Sequence, residues 1–257
     1  MTWVPVSRTK HRDKALSRNR NYLFAKSTTL VPVHFEDLFA SVVHMPMVFY
    51  QRDDITEIVA VLGLEKGNNL FVGDDGSWPI DFVPAAFRCH PFSAVDLEDG
   101  DATIVYREGC DLVVDRNDGD PFFNADGTEG EVFKSLVSLA VAFKQQKVRT
   151  RAACSLLAEF ELLKPLIPSF ERDDGSVIRL GNLFGIDQIK FNALQDKKFR
   201  KLRETCAVDL VYAHLFSLSR FSVLLNLMRA REKTASNLSG LGLEIFADRE
   251  EKMNFNF

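Results

Sequence analysis

Residues 68–94, NNLFVGDDGSWPIDFVPAAFRCHPFSA, form the stretch around which the chain is organised. The stretch combines a turn signal at residues 74–76 with one Trp, three Pro and an Arg-x-His-Pro-Phe run. Proline fixes φ and lacks a backbone donor, while Asp and Gly favour turns. This composition predicts an irregular, tightly held segment instead of a smooth helix or strand.

The overall composition indicates an ordinary globular protein. The chain has 257 residues, of which 46% are hydrophobic and 26% are charged, so it is long enough to bury a full core. Its net charge of -4 lacks the basic excess that nucleic-acid binding requires, and we expect no nucleic-acid partner. Phenylalanine is frequent, with 22 Phe against 4 Tyr and 2 Trp, which predicts a Phe-rich core.

The cysteines and the N-terminal residues predict a cytoplasmic protein. The four cysteines are widely spaced and include no Cys-x-x-Cys pair, a pattern typical of reduced, buried thiols. Residues 1–22 are basic but lack the apolar region of a secretory signal. Residues 208–228 are close to the length of a membrane span, but they include Asp209 and Arg220, which are costly in hydrocarbon. We therefore expect no transmembrane segment and interpret residues 208–228 as a buried core helix.

The first half of the chain predicts antiparallel strands joined by short turns such as Asp53-Asp54 and Glu108-Gly109. The predicted strands are residues 3–6, 30–34, 47–51, 57–64, 68–73, 102–107 and 110–114. Their connections are too short for parallel crossovers, so hairpins are expected, including one between the last two strands. Residues 35–44 have apolar side chains at helical spacing and predict a helix, whereas the charged residues 11–20 predict an exposed helix or a loop.

The second half predicts helices. They are residues 131–146, 148–163, 187–194, 197–205 and 207–231. Pro165 and Pro168 are expected to end the second of these helices, and Asp187 is expected to cap the third. A small hairpin is predicted around Asp174-Gly175, and residues 241–246 are a late strand candidate.

These elements together predict an α+β fold in a single domain over residues 1–257. The antiparallel, β-rich residues 1–128 are expected to pack on the mainly helical residues 129–233, and residues 234–257 form a mixed tail. No internal repeat and no low-complexity linker divides the sequence.

A set of short motifs is spread over roughly residues 1–230. The motifs are Tyr22-x-Phe24-Ala25, Pro46-x-Val48-Phe49, Leu62-Gly63-Leu64 with Asn69-Leu70-Phe71-Val72, Gly76-x-Trp78, Val83-Pro84-x-x-x-Arg88-x-x-Pro91-Phe92, Ile186-Asp187, Leu194 and Tyr212-Ala213-His214-Leu215-x-Ser217-Leu218. In combination they resemble the bacterial SapC family. The chain has His90 where the family run has Tyr, so a polar role of His90 is particular to this chain.

The resemblance implies an accessory protein. Some SapC-like proteins are associated with a surface layer, and family members tend to occur beside flavin-dependent halogenases, cupin-like proteins and outer-membrane receptors. No catalytic residues are established for the family, so none is transferred to this chain. We therefore expect a non-catalytic accessory or binding protein without a cofactor.

Arg88, Trp78 and His90 are the candidate ligand-binding residues, and the expected ligand is a small acidic molecule or a peptide. Arg88 lies between two prolines, and a fixed guanidinium can hold a carboxylate with two parallel hydrogen bonds. Trp78 is expected to supply an apolar wall and His90 a pH-sensitive donor. In the structural alternative, Arg88 pairs with Asp81, Asp96 or another acid and fixes the irregular segment.

Two further function classes remain open. His34 and Glu36, with a distant histidine such as His214 or His90, are the ligand types of a two-histidine, one-carboxylate iron site and predict a metal-dependent enzyme. The alternative reading of His214 is a hydrogen-bonded core histidine one helical turn from Ser217. An exposed Phe patch or the tail would instead indicate an interaction scaffold with a protein partner, in line with the surface-layer association of some family members.

Overall fold

The structure is a computed structural model that describes residues 2–97 and 102–234. Its strands are β1 (Trp3–Pro5), β2 (Lys14–Ser17), β3 (Leu30–Pro32), β4 (Met47–Arg52), β5 (Ile55–Val61), β6 (Phe92–Asp96), β7 (Ala102–Arg107), β8 (Val113–Asp115), β9 (Gly119–Pro121), β10 (Leu163–Leu166), β11 (Ser169–Glu171), β12 (Val177–Arg179) and β13 (Leu183–Ile186). Its α-helices are α1 (Phe35–His44), α2 (Ala85–Arg88), α3 (Glu131–Glu159), α4 (Gln188–Asn192), α5 (Asp196–Glu204) and α6 (Ala207–Ser217). After a 3-10 turn at Leu218–Arg220 the last helix continues, so that it covers Ala207–Thr234.

The strands that the structure describes pair antiparallel and form three sheets and one separate hairpin. The main sheet has five strands in the order β10-β13-β4-β5-β3, centred on the β4-β5 hairpin. Two smaller sheets have the orders β1-β7-β6 and β8-β2-β9, and β11 pairs only with β12. Because β10 and β13 come from the second half of the chain, both halves contribute to the main sheet.

Helix α3 joins two hydrophobic cores. It has 29 residues and is therefore about 43 Å long at 1.5 Å per residue. Near its beginning, Phe133 and Leu136 pack with Phe122 in a core that contains four buried phenylalanines. Near its end, Cys154 and Leu157 belong to the main core, which lies against the five-stranded sheet. One rigid element thus connects the two cores, and the Phe-rich core expected from composition is present.

The predicted α+β class is confirmed, with antiparallel sheets in the first half and helices in the second. Several local predictions also agree with the structure. Helix α1 has the predicted bounds, and the hairpin of β11 and β12 turns at Asp174-Gly175. The carboxylate of Asp187 caps α4 by accepting hydrogen bonds from the backbone N–H groups of Ile189 (3.1 Å) and Lys190 (3.3 Å).

The predicted strand at residues 68–73 is wrong, because its backbone groups bond to side chains and to irregular segments, such as Lys26 and Leu62, instead of to a neighbouring strand. The guanidinium of Arg231 donates to the carbonyls of Leu70 (3.2 Å) and Val72 (2.5 Å). The buried amide of Asn69 donates to the carbonyl of Ala25 (3.0 Å). The segment is therefore irregular and tightly held, as the Pro, Asp and Gly residues of the stretch 68–94 predicted.

The predicted hairpin between residues 102–107 and 110–114 is also wrong. Strand β7 pairs with β6 and β1, whereas β8 begins at Val113 and pairs with β2. Strand β2 lies within residues 11–20, for which a charged helix or loop was predicted. Its residues Ala15 and Leu16 are buried, and the basic residues around them obscure this short apolar pair in the sequence.

The two helices predicted at residues 131–146 and 148–163 are one helix. No glycine or proline interrupts the sequence between them, and α3 ends before Glu161, which has a positive φ of 55°. Pro165 does not end a helix but lies in β10, an edge strand that tolerates its missing donor. The strand candidate at residues 241–246 lies outside the described residues.

The last helix is long and apolar enough to span a bilayer by length and composition alone. In this fold one side of it packs on α1, α3, β4 and β13, and Leu210, Val211, Leu224 and Met228 are buried in the main core. We therefore interpret it as a core helix.

His214 and Ser217 attach the last helix to the main sheet. The Nδ1–H of His214 donates to the carbonyl of Met47 (2.8 Å), and its Nε2 accepts from the N–H of Ile186 (3.3 Å). The hydroxyl of Ser217 accepts from the N–H of Met47 (2.9 Å). Burial lowers the pKa of His214 to about 4, which keeps the imidazole neutral and able to make both bonds. His214 is thus a structural residue that links β4, β13 and the last helix.

Replacing His214 with leucine should destabilise the protein by about 1–3 kcal/mol, because two buried backbone groups lose their partners. The free energy of unfolding from urea titration measures the effect. Asn226→Leu places the same side chain at an exposed position of the same helix and should change that free energy by less than about 0.5 kcal/mol. Equal stability of the two variants would show that the His214 hydrogen bonds are unimportant.

Candidate functional site

The irregular stretch at residues 68–94 is fixed by an ion pair between Asp37 and Arg88. Asp37 lies in the first turn of α1 and its side chain is 7% exposed. One carboxylate oxygen accepts from the Arg88 guanidinium at 2.6 Å, and the other accepts from the N–H of Ala85, the first residue of α2. Asp37 therefore holds both ends of the short helix α2 against α1.

Arg88 also stabilises its own segment, because its Nε donates to the carbonyl of Val83 at 3.0 Å. Its side chain is 40% exposed. The acid that it contacts is Asp37, not Asp81 or Asp96. The partner therefore lies 51 residues earlier in the chain, in α1. This is the structural arrangement considered as the alternative to ligand binding.

Trp78 lies in an aromatic cluster apart from Arg88. Its ring stacks on Phe71 with 5.6 Å between ring centroids and meets Phe87 edge-on at 5.7 Å. Its indole N–H donates to the carbonyl of Phe82 at 2.7 Å. Arg88 and His90 both line one cavity of about 220 Å³, and Trp78 is not among the residues that line it. The structure thus brings two of the three candidate residues together.

His90 is held between Phe24 and Cys110. Its ring stacks on Phe24 with 3.7 Å between ring centroids, and its Nε2 lies 3.2 Å from the Cys110 sulfur. Burial lowers the pKa of His90 to about 4 and raises the pKa of the Cys110 thiol. Both groups are therefore uncharged at neutral pH, where a thiolate nucleophile would need the opposite shift for Cys110.

A cleft of about 530 Å³ lies between β6 and the middle of α3, and we call it the α3 cleft. His90 and Cys89 line it at the end of α2, and Phe92 and Ala94 line it from β6. Phe143 contributes an apolar wall from α3. The cleft lies along the middle of α3. This part follows Leu136, which packs in the Phe-rich core, and precedes Cys154, which packs in the main core.

Three cationic side chains line the α3 side of this cleft. Lys144, Lys147 and Arg151 recur at a spacing that places them on one face of the helix. Lys144 pairs with Asp96, and the Arg151 Nε donates to Glu57 at 2.7 Å. Lys147 forms no salt bridge with any residue of the described ranges. The cleft therefore combines apolar walls with one cation that has no acidic partner there.

Sequence reasoning missed these three cations. The signal was available as a positively charged row within the run FKQQKVRTR at residues 143–151. It was not distinctive, because charges at helical spacing ordinarily mark a solvent-exposed helix face. Only the position of β6 opposite α3 shows that this face borders a cleft.

The structure does not gather the residues of the alternative metal site. Within residues 2–97 and 102–234, no three His, Cys, Asp or Glu side chains form a group that could hold a metal ion. Both ring nitrogens of His214 already bond to the backbone, and His34 lies beside Phe143 with 4.5 Å between ring centroids. Glu36 is an exposed residue of the first turn of α1, where its charge favours the helix dipole.

His34 is buried without a hydrogen bond. It is 5% exposed, and neither ring nitrogen has a partner in the described part of the chain. Burial lowers its pKa from the ordinary value of 6.5 to about 4, although Glu57 nearby opposes the shift. The imidazole is thus neutral at pH 7 and costs free energy, since burying an unpaired polar group is unfavourable.

Replacing Arg88 with alanine should destabilise the protein by about 1–3 kcal/mol, because the buried Asp37 carboxylate loses a charge-assisted hydrogen bond. Arg52→Ala is the matched control, since the Arg52 side chain is 80% exposed, and it should have an effect below about 0.5 kcal/mol. Urea unfolding measures both. An Arg88→Ala protein that keeps its stability but fails to bind a ligand would assign Arg88 to the binding site.

Replacing His34 with leucine should reduce the loss of stability in acid. A histidine whose pKa is about 4 when folded and 6.5 when unfolded contributes stability that is fully present above pH 6.5 and is lost as the pH falls towards 4. The wild type should therefore lose up to about 1.4 kcal/mol per pH unit more than His34→Leu in this window. Parallel pH profiles of the free energy of unfolding would contradict the assignment.

Comparison with known proteins places most of this structure in one family. A family model described as SapC matches residues 6–224, which include the main sheet, α1, α3 and the α3 cleft. No match was found among curated proteins or among solved structures. Since the matched region is far more than half of the chain, the resemblance noted from the short motifs is confirmed, and the chain belongs to the SapC family.

Proposed function

We propose that this SapC-family chain is a non-catalytic accessory protein that binds a small organic anion with an apolar body in the α3 cleft. The observation that carries the proposal is a cleft of about 530 Å³ with apolar walls and Lys147 on its rim. This volume lies within the roughly 300–1,000 Å³ that is typical of small-molecule sites.

The apolar walls favour a ligand with a hydrophobic body. Phe92 and Ala94 are buried parts of β6, and Phe143 and Val148 face them from α3. Val148 is 67% exposed, so its side chain is available to a ligand at the mouth of the cleft. Removing the exposed apolar surface of the ligand and of Val148 from water contributes about 25 cal/mol per Å².

The charges favour an anionic group at Lys147. Lys144 and Arg151, on either side of it, already neutralise Asp96 and Glu57. An incoming carboxylate therefore meets the charge of Lys147, which has no acidic partner in the described ranges, and displaces no acid from it. A ligand whose anionic group lies at Lys147 and whose apolar part extends towards Phe92 matches both features.

His90 has a place in this proposal as a neutral wall residue. It lines the cleft, and its pKa of about 4 restricts the pH-sensitive donor role considered for it to acidic solution. Lys147 takes the anion-binding role considered for Arg88, because Arg88 is engaged by Asp37.

Charge reversal at Lys147 should weaken anion binding while leaving the fold intact. With 1-anilinonaphthalene-8-sulfonate as a fluorescent apolar anion, Lys147→Glu should raise the Kd roughly tenfold or more, since attraction becomes repulsion at a partly buried position. Lys134→Glu, an exposed position on the same helix, is the matched control and should leave the Kd unchanged.

Competition with unlabelled ligands tests the proposed chemistry. Octanoate should displace the fluorescent probe, and octanol, which has the same chain without the charge, should displace it much less. Equal Kd values for the Lys147→Glu and Lys134→Glu proteins, or equal displacement by octanoate and octanol, would overturn the proposed function.

A further inference from the structure

A second surface, which shares no residue with the α3 cleft, exposes six large apolar side chains. They are Phe39, Val43, Ile189, Phe199, Tyr212 and Phe216, which we call the aromatic face. Ile189 is 81% exposed and Phe39 is 71% exposed. None of the six lines the α3 cleft or the cavity that Arg88 and His90 line.

Ring contacts link the exposed aromatic residues of α5 and α6 through α4. Tyr212 stacks with Phe216 at 6.0 Å between ring centroids and meets the buried Phe191 of α4 at 6.1 Å. Phe191 in turn lies 6.0 Å from Phe199 of α5. Helix α1 packs beside α6, and on it Phe39 and Val43 are one turn apart and exposed. Single exposed apolar residues are normal, but several of them on helices that pack together indicate an interaction surface.

The same region is strongly basic in an otherwise acidic chain. Residues 187–204 carry six cationic side chains against three anionic ones, a net charge of +3, whereas the whole chain has a net charge of -4. The cations are Lys190, Lys197, Lys198, Arg200, Lys201 and Arg203. Of these, only Lys190 forms a salt bridge within the described ranges, to Glu161 at 3.5 Å.

We propose that the aromatic face docks on the surface of an anionic lipid bilayer. Exposed Phe, Tyr and Ile side chains enter the boundary between head groups and acyl chains, while the neighbouring Lys and Arg side chains contact anionic head groups. A nucleic acid offers phosphates but no apolar phase for Ile189 and Val43. The row of cations beside these apolar side chains matches the anionic head groups that border the acyl chains of a bilayer.

Co-sedimentation of the full-length chain with lipid vesicles tests this proposal. The protein should bind vesicles that contain phosphatidylglycerol, bind pure phosphatidylcholine vesicles much more weakly, and dissociate at high salt. Ile189→Ser and Phe216→Ser should each weaken binding about tenfold, because each removes a large apolar side chain from the bilayer boundary. The double variant Arg200→Glu with Arg203→Glu, two exposed residues that flank Phe199 on α5, should weaken it more than tenfold, since each basic residue near an anionic surface contributes a factor of about five.

Matched controls separate this surface from general effects. Ile167→Ser changes an isoleucine that is 64% exposed outside the aromatic face, and Lys10→Glu with Lys66→Glu reverses two exposed charges elsewhere. Both control proteins should bind vesicles like the wild type. Failure of the wild type to bind anionic vesicles, equal binding to neutral ones, or equal losses in the control variants would overturn the proposal. The proposal would also be overturned if the wild type formed a dimer and bound no vesicles, and if Phe216→Ser abolished that dimer. This result would assign the aromatic face to a second copy of the chain.

Discussion

The sharing of one long helix by two cores is the constraint on which the rest of the structure depends. Helix α3 is anchored by Phe133 and Leu136 at one end and by Cys154 and Leu157 at the other. Between these anchors Ala140 packs with Cys89 and Ala94 in a small third core. The α3 cleft lies beside this contact, between β6 and the middle of α3. Its walls are as rigid as the helix and the strand that form them, which favours preorganised binding.

The two proposed surfaces use different parts of the fold and can act separately. The α3 cleft is formed by β6 and the middle of α3, whereas the aromatic face belongs to α1, α4, α5 and α6. The residues between them serve stability: Asp37 fixes α2 against α1, and His214 fixes the last helix to β4. A protein that holds an apolar anion and rests on a bilayer would be suited to receiving or delivering such a ligand at a membrane surface.

The sequence predicted what depends on local chemistry and missed what depends on distant partners. The amphipathic spacing of Phe35–His44 and the capping carboxylate of Asp187 are local signals, and both gave correct elements. The sequence did not predict strand β2, because its pairing with β8 joins residues about a hundred positions apart and no local pattern encodes that pairing. Likewise Arg88 was recognised as important, but its partner Asp37 could be identified only in three dimensions. Lys147 was missed because its significance depends entirely on the strand opposite it.

The most direct test of this account is a crystal structure of the protein with octanoate bound. Octanoate contains only an apolar chain and a carboxylate, so its position reports both features of the α3 cleft at once. The account predicts the carboxylate within hydrogen-bonding distance of the Lys147 Nζ, about 3 Å, and the chain against Phe92 and Phe143. A structure in which the protein's own side chains fill the cleft, or in which octanoate binds elsewhere, would contradict it.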